Sequence, residues 1–246
     1  MKLSLKNWFY SLLLLTALAG TGVMIAVSGR ENAVIDCNSV EVQLPGEQCF
    51  ITQADVADYL EGGYEVVIGK RIQDIDLQRI EEILDIRPSI KKSEAWVTRD
   101  GTLHITVYQR TPVLKILDNK GKGYYADAEG IVFPLSGHYD ADVPVILCPT
   151  DKALSIRWLT EAIDLVHYLS HNPRWADTIK GYEVAENDDF ILLSERERVI
   201  FGDFNDRDMK LARLDRYFSR IQPRANEYKT VNLKYKGQII CRKKDM

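Results

Sequence analysis

The sequence predicts an α+β protein in three parts: one N-terminal transmembrane helix, a small β-α-α-β-β domain, and a β-rich domain with flanking helices. Three observations predict it. Residues 8–27, WFYSLLLLTALAGTGVMIAV, carry no charge. Residues 34–110 hold period-2 apolar runs around two stretches of helical spacing. Beyond residue 111, short strand-like runs recur, interrupted by two long amphipathic stretches. A chain of 246 residues that is 46% hydrophobic and 28% charged is able to bury a sizeable core.

The uncharged run matches the thickness of a bilayer core, since a helix of about 20 residues spans roughly 30 Å. Trp8 and Tyr10 stand at one end, where interfacial aromatics belong, and Lys2 and Lys6 precede the run. The lysine side is therefore expected in the cytoplasm and the bulk of the chain outside it. A cleaved signal peptide is the alternative, with Ala26–Ser28 as the small-residue cleavage site. Its apolar core is normally about 7–15 residues, shorter than this run. A lipoprotein signal lacks its cysteine, because position 21 is threonine. The expected division is 1–7 cytoplasmic segment, 8–28 transmembrane helix, 34–110 first domain, 111–241 second domain and 242–246 basic tail.

In the first domain, Val40, Val42 and Leu44 alternate as in a strand. Thr52 with Asp55 three residues on forms the start of a helix, with Ile51, Val56 and Leu60 on its apolar side. Leu77, Ile80, Ile83 and Leu84 mark a second helix that Pro88 terminates. IKKSEAWVTRDGTLHITVYQR then reads as two strands about the turn Asp100-Gly101.

The second domain opens past Arg110 and Pro112, which interrupt an otherwise strand-like run and mark a domain junction. Val107 is expected to end the last strand of the first domain and Val113 to begin the second. Asp127 and Gly130 read as turn residues between two strands. Ile156, Leu159, Ile163, Val166 and Leu169 stripe one helix. Three strands follow in IKGYEV, DFILLS and RVIFGD. A second helix has Asn205 or Asp206 as its cap and Leu211, Leu214, Phe218 and Ile221 as its stripe. The chain closes on a hairpin with Val231, Leu233 and Tyr235 before Lys236-Gly237, and Ile239 and Cys241 after it. Residues 231–241 are the candidate sheet edge.

The chemistry of an enzyme is not evident. No nucleophile–base pair, carboxylate pair, Gly-rich phosphate loop or nucleophile elbow stands out. His167 and His171 share one helix turn without further ligands, so solvent-facing histidines are expected rather than a metal site. The cysteines form no CxxC. Cys37 and Cys49 either pair across a short loop or stay as thiols, and Cys148 and Cys241 read as packing residues. A net charge of −4 with dispersed basic residues argues against a nucleic-acid partner. Neither a cofactor nor a metal is expected.

The β-α-α-β-β order after a membrane anchor resembles a POTRA domain, a small fold that binds extended polypeptides and partner proteins. QRTPV at 109–113, YYADAEGIVFPL at 124–135, VPVI at 143–146, VIFGD at 199–203 and TVNLKYKGQI at 230–239 extend the likeness across nearly the whole chain. Together they resemble the bacterial cell-division family FtsQ/DivIB. That resemblance implies a non-enzymatic divisome scaffold in the inner membrane, single-pass, with a cytoplasmic N-terminus, a periplasmic bulk and enrichment at the division septum. It implies FtsB-like and FtsL-like coiled-coil division proteins as partners, along with other divisome proteins. Carried over by position, Tyr235 and Gly237 match a tyrosine and a glycine of the family's terminal strands, and the expected partner-binding set is Leu233, Lys234, Tyr235, Lys236, Gly237, Gln238 and Ile239. Some relatives end on an aromatic residue where this chain has CRKKDM. The alternative is an exported POTRA-bearing factor for envelope or outer-membrane protein assembly. Such factors usually carry several POTRA repeats or a β-barrel, and only one such module fits here.

Overall fold

A computed structural model describes residues 35–46, 49–148, 154–222 and 228–244. The expected transmembrane helix at 8–28 lies outside the described residues, and no described helix is long and apolar enough to cross a membrane.

The first module starts with β1 (Ser39–Gln43), α1 (Gln53–Glu61), a 3-10 turn (Ile72–Asp74) and α2 (Leu77–Asp85). It ends with β2 (Ile90–Val97) and β3 (Thr102–Gln109). The capping box at the head of α1 is complete. Thr52 Oγ1 accepts from the Asp55 amide, and Asp55 Oδ2 accepts from the Thr52 amide at 2.8 Å. The sheet order is β1-β3-β2, with β1 parallel and β2 antiparallel to the central β3. Leu103, Ile105 and Val107 of β3 are fully buried in one cluster with Val56 and Leu60 of α1 and Ile80, Ile83 and Leu84 of α2. Asp100-Gly101 makes the expected β2–β3 turn, with Gly101 at φ +87°.

The second module is one nine-stranded sheet. Its strands are β4 (Pro112–Leu117), β5 (Gly123–Asp127), β6 (Val132–Pro134), β7 (Val145–Leu147), β8 (Gly181–Val184), β9 (Phe190–Leu193), β10 (Arg198–Gly202), β11 (Tyr228–Asn232) and β12 (Ile240–Lys243). The order is β12-β11-β10-β9-β8-β7-β4-β5-β6. The three parallel contacts are β4/β7, β7/β8 and β10/β11. Between β7 and β8 run α3 (Ile156–His171) and the single turn α4 (Pro173–Ala176); between β10 and β11 runs α5 (Arg207–Arg216). Asp127 closes the β5–β6 turn: its Oδ1 accepts from the Glu129 and Ile131 amides at 3.0 and 2.9 Å, and Gly130 takes φ +76°.

Several expectations need correction. β3 runs to Gln109 rather than ending at Val107, and β4 begins at Pro112 rather than Val113. Proline is tolerated there because it is the first residue of its strand. Ile156 opens α3 and is exposed, while Ala162 and Leu165 join the buried stripe. Asp206 is the N-cap of α5 but makes no capping bond; it sits at φ 52°, with its carboxylate 3.4 Å from Lys236 Nζ. After Arg216 the helix widens to a π turn over Tyr217–Ile221. Tyr217, three residues after Leu214 on the same face, is fully buried, while Phe218 and Ile221 only flank the core. Cys37 is a buried free thiol and Cys49 an exposed one.

Tyr182 of β8 stacks on Phe190 with ring centroids 5.8 Å apart. Burial pushes its phenol up to about 12. A raised folded value favours the neutral phenol, so this contribution is complete below the unfolded value near 10 and is lost as pH rises through about 12. Tyr182→Phe is expected to flatten part of the fall in stability over that window, on the order of 2 kcal/mol, in urea titrations at stepped pH. Equal falls in both proteins would contradict it.

Candidate partner-binding site

A sheet edge can accept another chain only where its backbone groups are open. Four edges occur in the described residues, and three are blunted. On β1, Gln53 Nε2 donates to the Val42 carbonyl at 2.8 Å. On β2, the outward amides of Ser93 and Ala95 donate to Asp85 Oδ1 and Glu81 Oε1 of α2 at 2.7 and 2.8 Å. β6 has three residues and ends on Pro134. The fourth edge is β12, and no strand lies beyond it among the described residues. Its inner side pairs antiparallel with β11, placing Asn232 opposite Ile240 and Val231 opposite Cys241.

The seven residues 233–239 expected to bind a partner form the connection between β11 and β12, not the edge itself. β11 stops at Asn232, whose Oδ1 accepts from the Lys234 amide at 2.9 Å and turns the chain. Leu233 is fully buried in the core of the large sheet and its amide donates to Ile200 of β10 at 2.9 Å. A buried Leu233 presents no side chain to a partner. Lys234 pairs with Asp189 at 2.7 Å, and this contact raises its ammonium above the ordinary value. Lys236 lies near Asp206, and Ile239 packs half-buried against the core. Arg213 of α5 donates to the Tyr235 carbonyl and, at 2.9 Å, to that of Gln238. Gly237 sits at φ +70° with open space where a Cβ would project. Its need is the left-handed turn, not a close backbone approach. Tyr235 is 55% exposed and Ile240 of the edge strand 45%. The structure thus places one exposed aromatic residue in the connection before the open edge strand, with Arg213 holding that connection by its main-chain carbonyls.

A family model described as FtsQ/DivIB, C-terminal related, matches residues 111–242, more than half of the chain. The chain belongs to the FtsQ/DivIB family. A second model, for a POTRA-like domain, matches residues 35–108. No curated protein matches the chain. The FtsQ/DivIB match spans the whole large sheet up to Arg242, including the open edge. This pair of modules points to a division-related scaffold in a generally non-enzymatic family.

Sequence reasoning placed Arg110 and Pro112 at the junction. Arg110 donates from Nε to the Pro88 carbonyl at 3.0 Å and from its guanidinium to Asp127 Oδ2 at 2.7 Å. Pro112 stands opposite Asp127 in the β4/β5 ladder. Two contributors were missed, and the edge strand Ile240–Lys243 overlaps the expected edge 231–241 only at Ile240 and Cys241. Arg213 carries no motif. Phe50 packs edge-on against Tyr125, Phe133 and Tyr139 of the second module. Its only sequence signal is an aromatic beside a cap.

Proposed function

We propose that this chain is a non-enzymatic divisome scaffold. It is anchored in the inner membrane by residues 8–28, with its bulk in the periplasm at the septum. It links early division proteins to septal peptidoglycan synthesis by binding small coiled-coil division proteins, the FtsB-like and FtsL-like class. The observation that carries the reading is the open edge of β12 inside the family-matched module, while the other three sheet edges are blunted. An added strand gains main-chain hydrogen bonds there, and Tyr235 and Ile240 offer apolar surface beside it. The basic residues Arg242 and Lys243 suit an acidic partner segment, with the small gain usual for exposed pairs.

The test is a titration of the full chain in nanodiscs against the exported segments of those partners. Prolines are introduced singly at Cys241→Pro and Arg242→Pro. Neighbouring strand residues point their amides to opposite sides, so one variant breaks the β11 ladder and the other only the outer edge. Both are expected to weaken binding about tenfold or more, about 1.4 kcal/mol, and only one to lower the melting temperature. Unchanged binding in both would move the interface off this edge. No binding by the unaltered chain would favour the envelope-assembly reading.

A further inference from the structure

The first module carries an apolar tip that neither its core nor the β12 edge uses. Val66 is 78% exposed and Ile68 60% exposed, in a turn closed by the Lys70 amide on the Val67 carbonyl at 3.0 Å. Val67 between them packs against the core and fixes the turn. This turn is pinned to the start of the described chain. The Cys37 amide donates to the Lys70 carbonyl at 2.7 Å, the Gly69 amide to the Cys37 carbonyl at 2.8 Å and the Ile72 amide to the Ile35 carbonyl at 2.9 Å. Asp36 and Arg71 pair as an isolated antiparallel bridge. The tip therefore lies about one strand spacing, roughly 5 Å, from the segment leading back to residue 34. The β2–β3 hairpin joins the same end through the Asn38 amide on the Gly101 carbonyl at 2.8 Å.

We propose that Val66 and Ile68 dip into the lipid headgroup layer beside the point where the N-terminal helix leaves the membrane. This rests on residues 8–28 being that helix. Six residues, 29–34, separate it from Ile35 and reach about 20 Å at full extension. The headgroup layer itself extends the membrane by roughly 5–8 Å on each side. A bilayer suits the tip better than a protein does. Two aliphatic side chains make a patch far below the ~800 Å² per partner of a stable protein interface, but they are enough to seat a tethered turn in the interface. Around them, Glu65 pairs with Lys70 at 2.6 Å, exposed Arg71 and Arg99 offset Asp36 and Asp100, and exposed Asp74 beside Lys70 adds a further negative charge, so the tip has no basic excess to draw it to anionic lipid. Insertion is thus led by apolar contact.

The test uses the full chain in vesicles of phosphatidylethanolamine and phosphatidylglycerol, in a Cys49→Ser, Cys241→Ser background. An environment-sensitive fluorophore is placed at Val66→Cys or, as control, at the exposed Met209→Cys of the second module. Spin-labelled lipids are expected to quench the probe at position 66 at least twofold more than the one at 209. Adding Ile68→Glu is expected to reduce that quenching at least twofold, whereas a probe drawn in by its own affinity would not respond. Equal quenching at both positions, or no response to Ile68→Glu, in protein that floats with the vesicles overturns the tip alone. Protein that fails to float overturns the membrane anchor and the tip with it.

Discussion

Phe50→Ala is expected to lower the unfolding free energy by about 3–4 kcal/mol. Phe50 belongs to the segment just before the α1 cap, yet its ring lies 5.3, 5.7 and 5.0 Å from those of Tyr125, Phe133 and Tyr139. Its carbonyl accepts from Ser136 Oγ at 3.1 Å. Tyr125 is itself held by Asp140, which accepts from its hydroxyl at 2.7 Å, so the pocket cannot collapse cheaply onto a missing ring. Each edge-to-face pair adds about 0.5–1.5 kcal/mol beyond area burial. The cluster that contains Phe50 also holds Ile80, Leu103 and Val107, so one apolar core crosses from the first module into the second. Unfolding is therefore expected to be a single transition in the parent and two in the variant. Urea titrations with hydrogen exchange read separately at β3 and β9 check both points. A loss below about 1 kcal/mol with coincident transitions would show that the modules hold together without this ring.

Features carried by local spacing were legible in the sequence. The Thr52–Asp55 capping box, the Asp100-Gly101 hairpin, the Asp127 turn and the stripe of α3 depend on residues within a turn or two of each other. The order of the large sheet was not. β7 lies between β4 and β8, parallel to both, and these contacts join residues 30 or more positions apart with no periodic signature. The candidate site was half legible. Alternation pointed to a C-terminal edge, but Val231 and Leu233 are apolar because they face the core, while the strand that is open, Ile240–Lys243, has only Ile240 and Cys241 as apolar residues before two charged ones. An apolar pattern reports burial, and an open edge is by definition the part left unburied. Phe50 escaped for a different reason, since its partners lie more than 70 positions downstream.

Arg110→Ala is expected to cost about 2–4 kcal/mol and Arg110→Lys nearly as much. The guanidinium bridges two modules: Nε reaches the Pro88 carbonyl at the end of the first, and the fork reaches Asp127, the turn residue of the second. Both side chains are largely buried, so removing the cation leaves the Asp127 carboxylate shielded from water without its partner. The Glu129 and Ile131 amides still donate to that carboxylate, which keeps the loss below that of a bare buried charge. A lysine lacks the planar fork and cannot serve both acceptors. Asp127→Ala removes the turn bonds as well and is expected to cost more than Arg110→Ala. The double variant should fall short of additivity by about 1–3 kcal/mol, measured by chemical denaturation. Strict additivity would mean that the pair carries no coupling and that the aromatic cluster alone sets the junction. With the coupling present, the junction is fixed at two separate places, by Phe50 in its ring cluster and by Arg110 on Asp127. Two fixed points resist bending in a way that one cannot. The distance from the start of the first module to the β12 edge is then set by the fold, so the open edge is held at a constant separation from Ile35.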